Sequence, residues 1–189
     1  MGRCSVLFGN APRQARLITG RRKNMIVLGI DPGYAILGYG VLEVNGLKLK
    51  AIDCGVVETT PQLTFPERLE RLYEGTRALI ERFRPDHIAF EELFFYRNTT
   101  TALQVAAARG VAILASQQAG LPLYEYTPMQ IKLSVTGDGH ADKLQMQNMV
   151  KLLLHLPRIP KPDDAADALG VAICHANALG PASSEFLIK

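Results

Sequence analysis

The stretch Met25-Ile-Val-Leu-Gly-Ile-Asp31-Pro32-Gly33 decides how the chain is read. It is a short apolar run that ends on an acid and is stopped by Pro-Gly, the pattern of a buried strand. An aspartate at such a strand end projects toward the crevice where α/β proteins bind ligands. Working outward, Leu37 to Val44 and Leu47 to Thr59 alternate as two further strands, and Asn45-Gly46 between them signals a hairpin. Phe65 to Arg84 has apolar residues at helical spacing and is halted by Pro85. A short strand over 87–91 follows, then a polar-aromatic loop from Phe94 to Thr101. Next come an Ala-rich helix to Gln118, a strand over 121–126 and helices over 128–135, 141–154 and 163–179. The order β-β-β-α-β-α-β-α-α-α predicts an α/β domain, with a mixed five-stranded sheet flanked by helices.

Composition narrows the class. The chain has 189 residues, 48% of them hydrophobic and 21% charged, which suits one globular domain. No apolar run has the length of a membrane helix. Cys4, Cys54 and Cys174 form no C-x-x-C pair, and the four histidines lack zinc-ligand spacing. A reducing cytoplasmic setting is therefore expected, and the histidines read as surface or packing residues. Net charge is +3, but Arg3, Arg13, Arg16, Arg21, Arg22 and Lys23 are set against no acid in residues 1–24. The remainder carries 15 basic and 18 acidic residues, so nucleic-acid contact needs local basic patches or metal ions. Residues 1–24 read as a disordered basic leader or a product of an upstream start codon. Residues 25–180 form the domain, and 181–189 read as a flexible tail.

The chemistry is carried by acids. Asp31 and Glu91 both end apolar strands. Glu92 is adjacent to Glu91, and since neighbouring strand residues face opposite ways, only one of the two can join Asp31. Asp163-Asp164-Ala-Ala-Asp167 opens the last helix, with Asp164 and Asp167 on one face. Helix capping explains one or two acids there, but three adjacent like charges repel. Small Ala165 and Ala166 let that helix press on the sheet. Converging carboxylates either take up protons or bind a divalent cation, and oxygen ligands suit Mg²⁺ or Mn²⁺. Two such ions can clamp a phosphodiester without any Ser, Cys or His nucleophile.

The ordered set Gly29-Ile-Asp-Pro-Gly33, Gly38-Tyr-Gly-Val41, Ala89-Phe-Glu-Glu-Leu-Phe94, Ala107-Ala-Arg-Gly-Val111 and Asp164-Ala-Ala-Asp-Ala-Leu169 resembles the RuvC family of bacterial Holliday-junction resolvases. The resemblance spans about residues 25–179. It implies an RNase H-like fold, a homodimer, and symmetric nicking of two like-polarity strands of a four-way DNA junction. It also implies cooperation with the RuvA–RuvB branch-migration complex. It assigns the catalytic, metal-binding acids to Asp31, Glu91, Asp164 and Asp167, with Mg²⁺ or Mn²⁺, two ions per site. Some members carry His at the third of these positions, and here Asp163 is a possible auxiliary acid. Phe94 matches an aromatic that stacks on an unpaired base. Arg97 and Asn98 extend that DNA-contacting loop, and Lys132 and Lys143 match lysines near the scissile phosphate. The loop Tyr34-Ala-Ile-Leu37 lacks the basic residue that some relatives carry there, which weakens the basis for a phosphate contact from it. Three other readings are a different RNase H-like nuclease, an actin-like ATPase and a catalytically silent junction-binding module. The ATPase needs a second phosphate loop, and retention of all four acids argues against the silent module.

Overall fold

A computed structural model describes residues 24–93 and 99–188. The strands are β1 (Met25–Asp31), β2 (Ile36–Asn45), β3 (Lys48–Glu58), β4 (His87–Glu91) and β5 (Leu123–Tyr126). They form one sheet in the order β3-β2-β1-β4-β5. The hairpins β1–β2–β3 pair antiparallel, while β4 pairs parallel with β1 and β5 with β4. Asp31 therefore ends the central strand. The expected Asn-Gly turn is present, with Asn45 facing Lys48 and Gly46 at φ 59°. The mixed five-stranded sheet expected from the element order is observed.

Alternation along the strands divides the core in two. Leu28, Ile30, Ile88 and Phe90 face α1 (Phe65–Phe83) and α2 (Thr99–Gln118), meeting Leu72, Leu79, Ala108 and Ala112. Val27, Leu42 and Ala89 face the other way. There they meet α3 (Pro128–Thr136), α4 (Lys143–Leu153) and α5 (Asp163–Ala178). Local chemistry sets the helix starts. Thr127 and Asp142 each accept a bond from the backbone three residues on, closing capping boxes with Gln130 and Gln145. This places the start of α4 at Lys143, two residues later than periodicity suggests, because Asp142 is the extended cap.

Helix α5 is buried around most of its circumference, with the sheet on one side and α3 and α4 on the other. Glycines in the sheet make this possible. A β-carbon at Gly29 would stand 2.3 Å from the Ala168 carbonyl oxygen, one at Gly38 2.2 Å from that of Asp164, and one at Gly40 2.7 Å from Leu169 N. Gly40 pairs with Gly29, and Gly38 with Asp31, so the row lies across β1 and β2 beside the acid. The expectation that small helix residues permit close packing is half of the arrangement, since the sheet is stripped of side chains as well.

The tail differs from expectation. Pro181–Phe186 forms a 3₁₀ turn, and the Phe186 ring lies 4.8 Å from that of Tyr126. Ile188 N donates to Leu123 O at 2.9 Å, and Leu187 bridges to Tyr124. Gly180 and the polar residues after it read as a flexible tail. Instead the segment covers the open edge of β5, a liability that sheets commonly cover. Asn24 donates to Glu43 at 2.7 Å, tying the residue before β1 to β2. The leader expected over residues 1–24 otherwise lies outside the described residues.

Overpacking a close contact costs about 1–3 kcal/mol, and each kcal/mol moves the midpoint of a domain this size by about 2–4 °C. Gly29→Ala is therefore expected to lower the thermal midpoint by several degrees or more. Gly110→Ala on α2, where a β-carbon meets nothing within 4 Å, leaves it unchanged or raised. Equal midpoints for the two variants in a melting experiment refute the close-contact account.

Candidate active site

Asp31 and Glu91 reach the site from adjacent strands. Ile30 is aligned with Phe90 in the parallel pair, so the next residues, Asp31 and Glu91, stand side by side on the α5 face. Glu92 alternates to the other face, and its backbone N–H donates to Tyr126 O at 2.9 Å. Asp164 and Asp167 arrive on the first turns of α5, seated by the glycine row. Their proximity has electrostatic consequences. Burial, with Glu91, Asp167 and Asp164 close by, pushes the Asp31 carboxyl up to about 8. Burial and Asp167 push Glu91 up to about 7. Asp167 is also raised, chiefly by burial.

Lys143 is the opposing charge. Its ammonium is 3.4 Å from Asp167 and 3.4 Å from Asp163, and it lowers the carboxyls of Asp31 and Glu91 as well. Lys132 acts on Glu91 in the same sense. Both lysines line a cleft of about 260 Å³ together with Glu91, Asp167, Pro128, Ile131 and Met146. Asp163 differs from Asp31, Glu91 and Asp167, whose carboxyls are raised. It pairs with Lys161 at 2.6 Å, and its carboxyl is lowered, first by that hydrogen bond. Phe94, Arg97 and Asn98 lie outside the described residues.

Among the described residues, no three acidic, histidine or cysteine side chains stand close enough to form a closed metal-binding group. The donor chemistry nevertheless fits a hard divalent cation. It is all oxygen, comes from three elements, and carries repulsion that a cation would relieve.

A buried polar chain lies beside these acids. His87 Nδ1 and His175 Nε2 are 2.8 Å apart, and His175 Nδ1 is 2.8 Å from the Tyr126 hydroxyl. Burial and His87 push His175 down to about 3, so it is neutral. The chain ties α5 to β4 and β5, the elements that also carry Asp167 and Glu91. Sequence reading assigned these histidines to packing or surface roles but did not pair them. The usable signal was the phase, since His87 and Glu91 share a strand face.

The family model for crossover junction endodeoxyribonuclease RuvC matches residues 27–175. The chain belongs to the RuvC family. It is 57% identical over 152 residues to the RuvC of Chloroflexus aurantiacus, covering 80% of this chain and 93% of that one. It is 55% identical over 155 residues to the RuvC of Desulfitobacterium hafniense, covering 82% and 94%. Among solved structures it resembles Thermus thermophilus RuvC in complex with Holliday junction substrate. The TM-score is 0.76 and the identity 42%, over 80% of this chain and 93% of that one. Within this RuvC-family chain, no described helix is long and apolar enough to cross a membrane.

Because burial and neighbouring acids raise the Asp31 carboxyl to about 8, ionising it opposes folding, and Asp31→Asn is expected to raise the thermal midpoint of the protein in chelator by a few degrees. A carboxyl raised on folding costs nothing below its unfolded value. The cost grows as pH climbs from about 4 toward about 8. The gain should accordingly be full above pH 8 and vanish near pH 4. Melting curves across that range check it, and a destabilised variant at pH 8 contradicts it.

Proposed function

We propose that this chain is a Holliday-junction resolvase, a metal-dependent endonuclease that nicks two like-polarity strands of a four-way DNA junction symmetrically, in recombination and repair. The observation that carries the reading is the electrostatic coupling of Asp31 to Glu91, Asp164 and Asp167, from two strands and a helix, with Glu91 and Asp167 sharing a cleft with two lysines. Family membership supports it, as does the structural likeness to a relative solved with its junction.

Asp31, Glu91, Asp164 and Asp167 would hold the metal, Mg²⁺ or Mn²⁺, with two ions per site. When bound, such ions supply Lewis-acid polarisation of the phosphate and activation of water. The protein's own groups do the rest. The partly buried carboxylates present the ligand oxygens from strand ends and the helix start. Lys132 and Lys143 put positive charge on the cleft wall where a phosphate enters, and Lys143 balances the acids before DNA arrives. Asp163, tied to Lys161 and Lys143, orients the lysine rather than joining the ligands.

Phe94 would stack on an unpaired base at the junction centre, worth roughly 1–3 kcal/mol, with Arg97 and Asn98 along the strand. Two sites acting on one junction call for a homodimer. The RuvA–RuvB complex is the expected partner, in the cytoplasm.

The deciding experiment incubates the purified protein with a synthetic four-way junction and a matched linear duplex, in Mg²⁺, Mn²⁺ or chelator. Paired nicks should appear in the junction only, and only with metal; equal cutting of the duplex would refute the assignment. Asp31→Asn should lose cleavage by at least about a hundredfold, or roughly 3 kcal/mol in the barrier, while gel-shift binding of the junction persists. Phe94→Ala should cut junctions at least several-fold more slowly with dimerisation intact by sedimentation, and an unchanged rate removes the stacking role.

A further inference from the structure

Across the sheet end from the acids, on the α1–α2 side, lies a second cleft of about 530 Å³, lined by Tyr34, Ala35, Leu63, Arg68, Gln104 and Val105. The Arg68 guanidinium sits over the Tyr34 ring, 4.9 Å from its centroid. That ring is held in turn by Phe65 at 5.8 Å, and its backbone carbonyl accepts from the Thr59 hydroxyl at 2.9 Å. Arg77, Arg82 and Arg109 each pair with a carboxylate. Arg68, like Arg71, Arg84 and Arg158, pairs with none among the described residues, and of these four its Nε alone is shielded from solvent without an acceptor. A guanidinium held over an aromatic ring and lacking an anion is prepared for one, and its fork matches phosphate.

Position supports a link to the cleft already described. Tyr34 follows Asp31 by three residues, so their Cα atoms are at most about 10 Å apart. A DNA strand rises about 3.4 Å per nucleotide, which places the second cleft within about three nucleotides of a phosphate at Asp31. The loop between them has no basic side chain of its own. Arg68, from α1, brings the charge to that spot.

We propose that Arg68, braced on Tyr34, is a backbone-phosphate contact that holds the DNA strand beside the cleaved position, independently of base sequence. This rests on the resolvase reading.

The test measures junction binding by the full-length protein in chelator over a series of salt concentrations. Arg68→Gln is expected to weaken binding roughly three- to tenfold and to lower the slope of log K against log salt by about 0.7–0.9 per contact. Arg68→Met, which keeps the apolar stem on Tyr34, should do the same, and Arg68→Lys should keep the slope. Arg82→Gln is the control. Arg82 is on the same helix and likewise over a ring, Phe83 at 4.6 Å, but about 21 Å away along the axis. It should change neither quantity, and thermal midpoints verify that each variant is folded. Wild-type affinity and slope in folded Arg68→Gln or Arg68→Met overturn the proposal, as does an equal loss in Arg82→Gln. If the wild-type protein does not bind the junction, the resolvase reading falls with it, an outcome distinct from a variant that matches a binding wild type.

Discussion

The contact on which the rest depends is that of α5 backbone with sheet backbone. Where Gly29, Gly38 and Gly40 lack side chains, the carbonyls of Ala168 and Asp164 come close enough to exclude even a methyl group. An ordinary helix–sheet interface would hold α5 farther off by the thickness of its side chains. Asp164 and Asp167 would then stand away from Asp31 and Glu91, and four acids distant in sequence would not share one electrostatic environment.

That proximity is costly, and the fold accommodates it. Buried like charges raise one another's proton affinity, as seen at Asp31 and Glu91. Lys143, half in solvent on α4, offsets part of the repulsion, and Asp163 with Lys161 completes a surface network around it. On the inner side the neutral Tyr126–His175–His87 chain satisfies polar atoms that would otherwise be buried without partners, and it clamps α5 to the two parallel strands. A strained charge cluster is thus set in a stiff, well-packed frame, a common arrangement where function opposes stability.

Much of this was legible in the chain. Strand ends at Asp31 and Glu91 showed in the break from apolar run to acid; the phase of 91 against 92 allowed only one of the two inward, and the family resemblance assigned it to Glu91. The i, i+3 spacing of Asp164 and Asp167 fixed their common face, because helix geometry is local. Lys132 and Lys143 were different. A lysine on a helix is usually a solvated surface group, and only the family resemblance singled them out. The ordering of residues 181–188 against β5 was not legible either, since a polar Ser-rich segment carries no local sign that an exposed strand edge awaits it.

Sequence by itself determined the element order, the mixed sheet and the acids, since periodicity, turn residues and capping act over a few neighbouring residues. Tertiary structure alone decided how near α5 lies to the sheet, which cation balances the acids and that Arg68 lies over Tyr34 without a carboxylate among the described residues. Those depend on distances between segments tens of residues apart, set by the glycine row, and no short-range pattern encodes them.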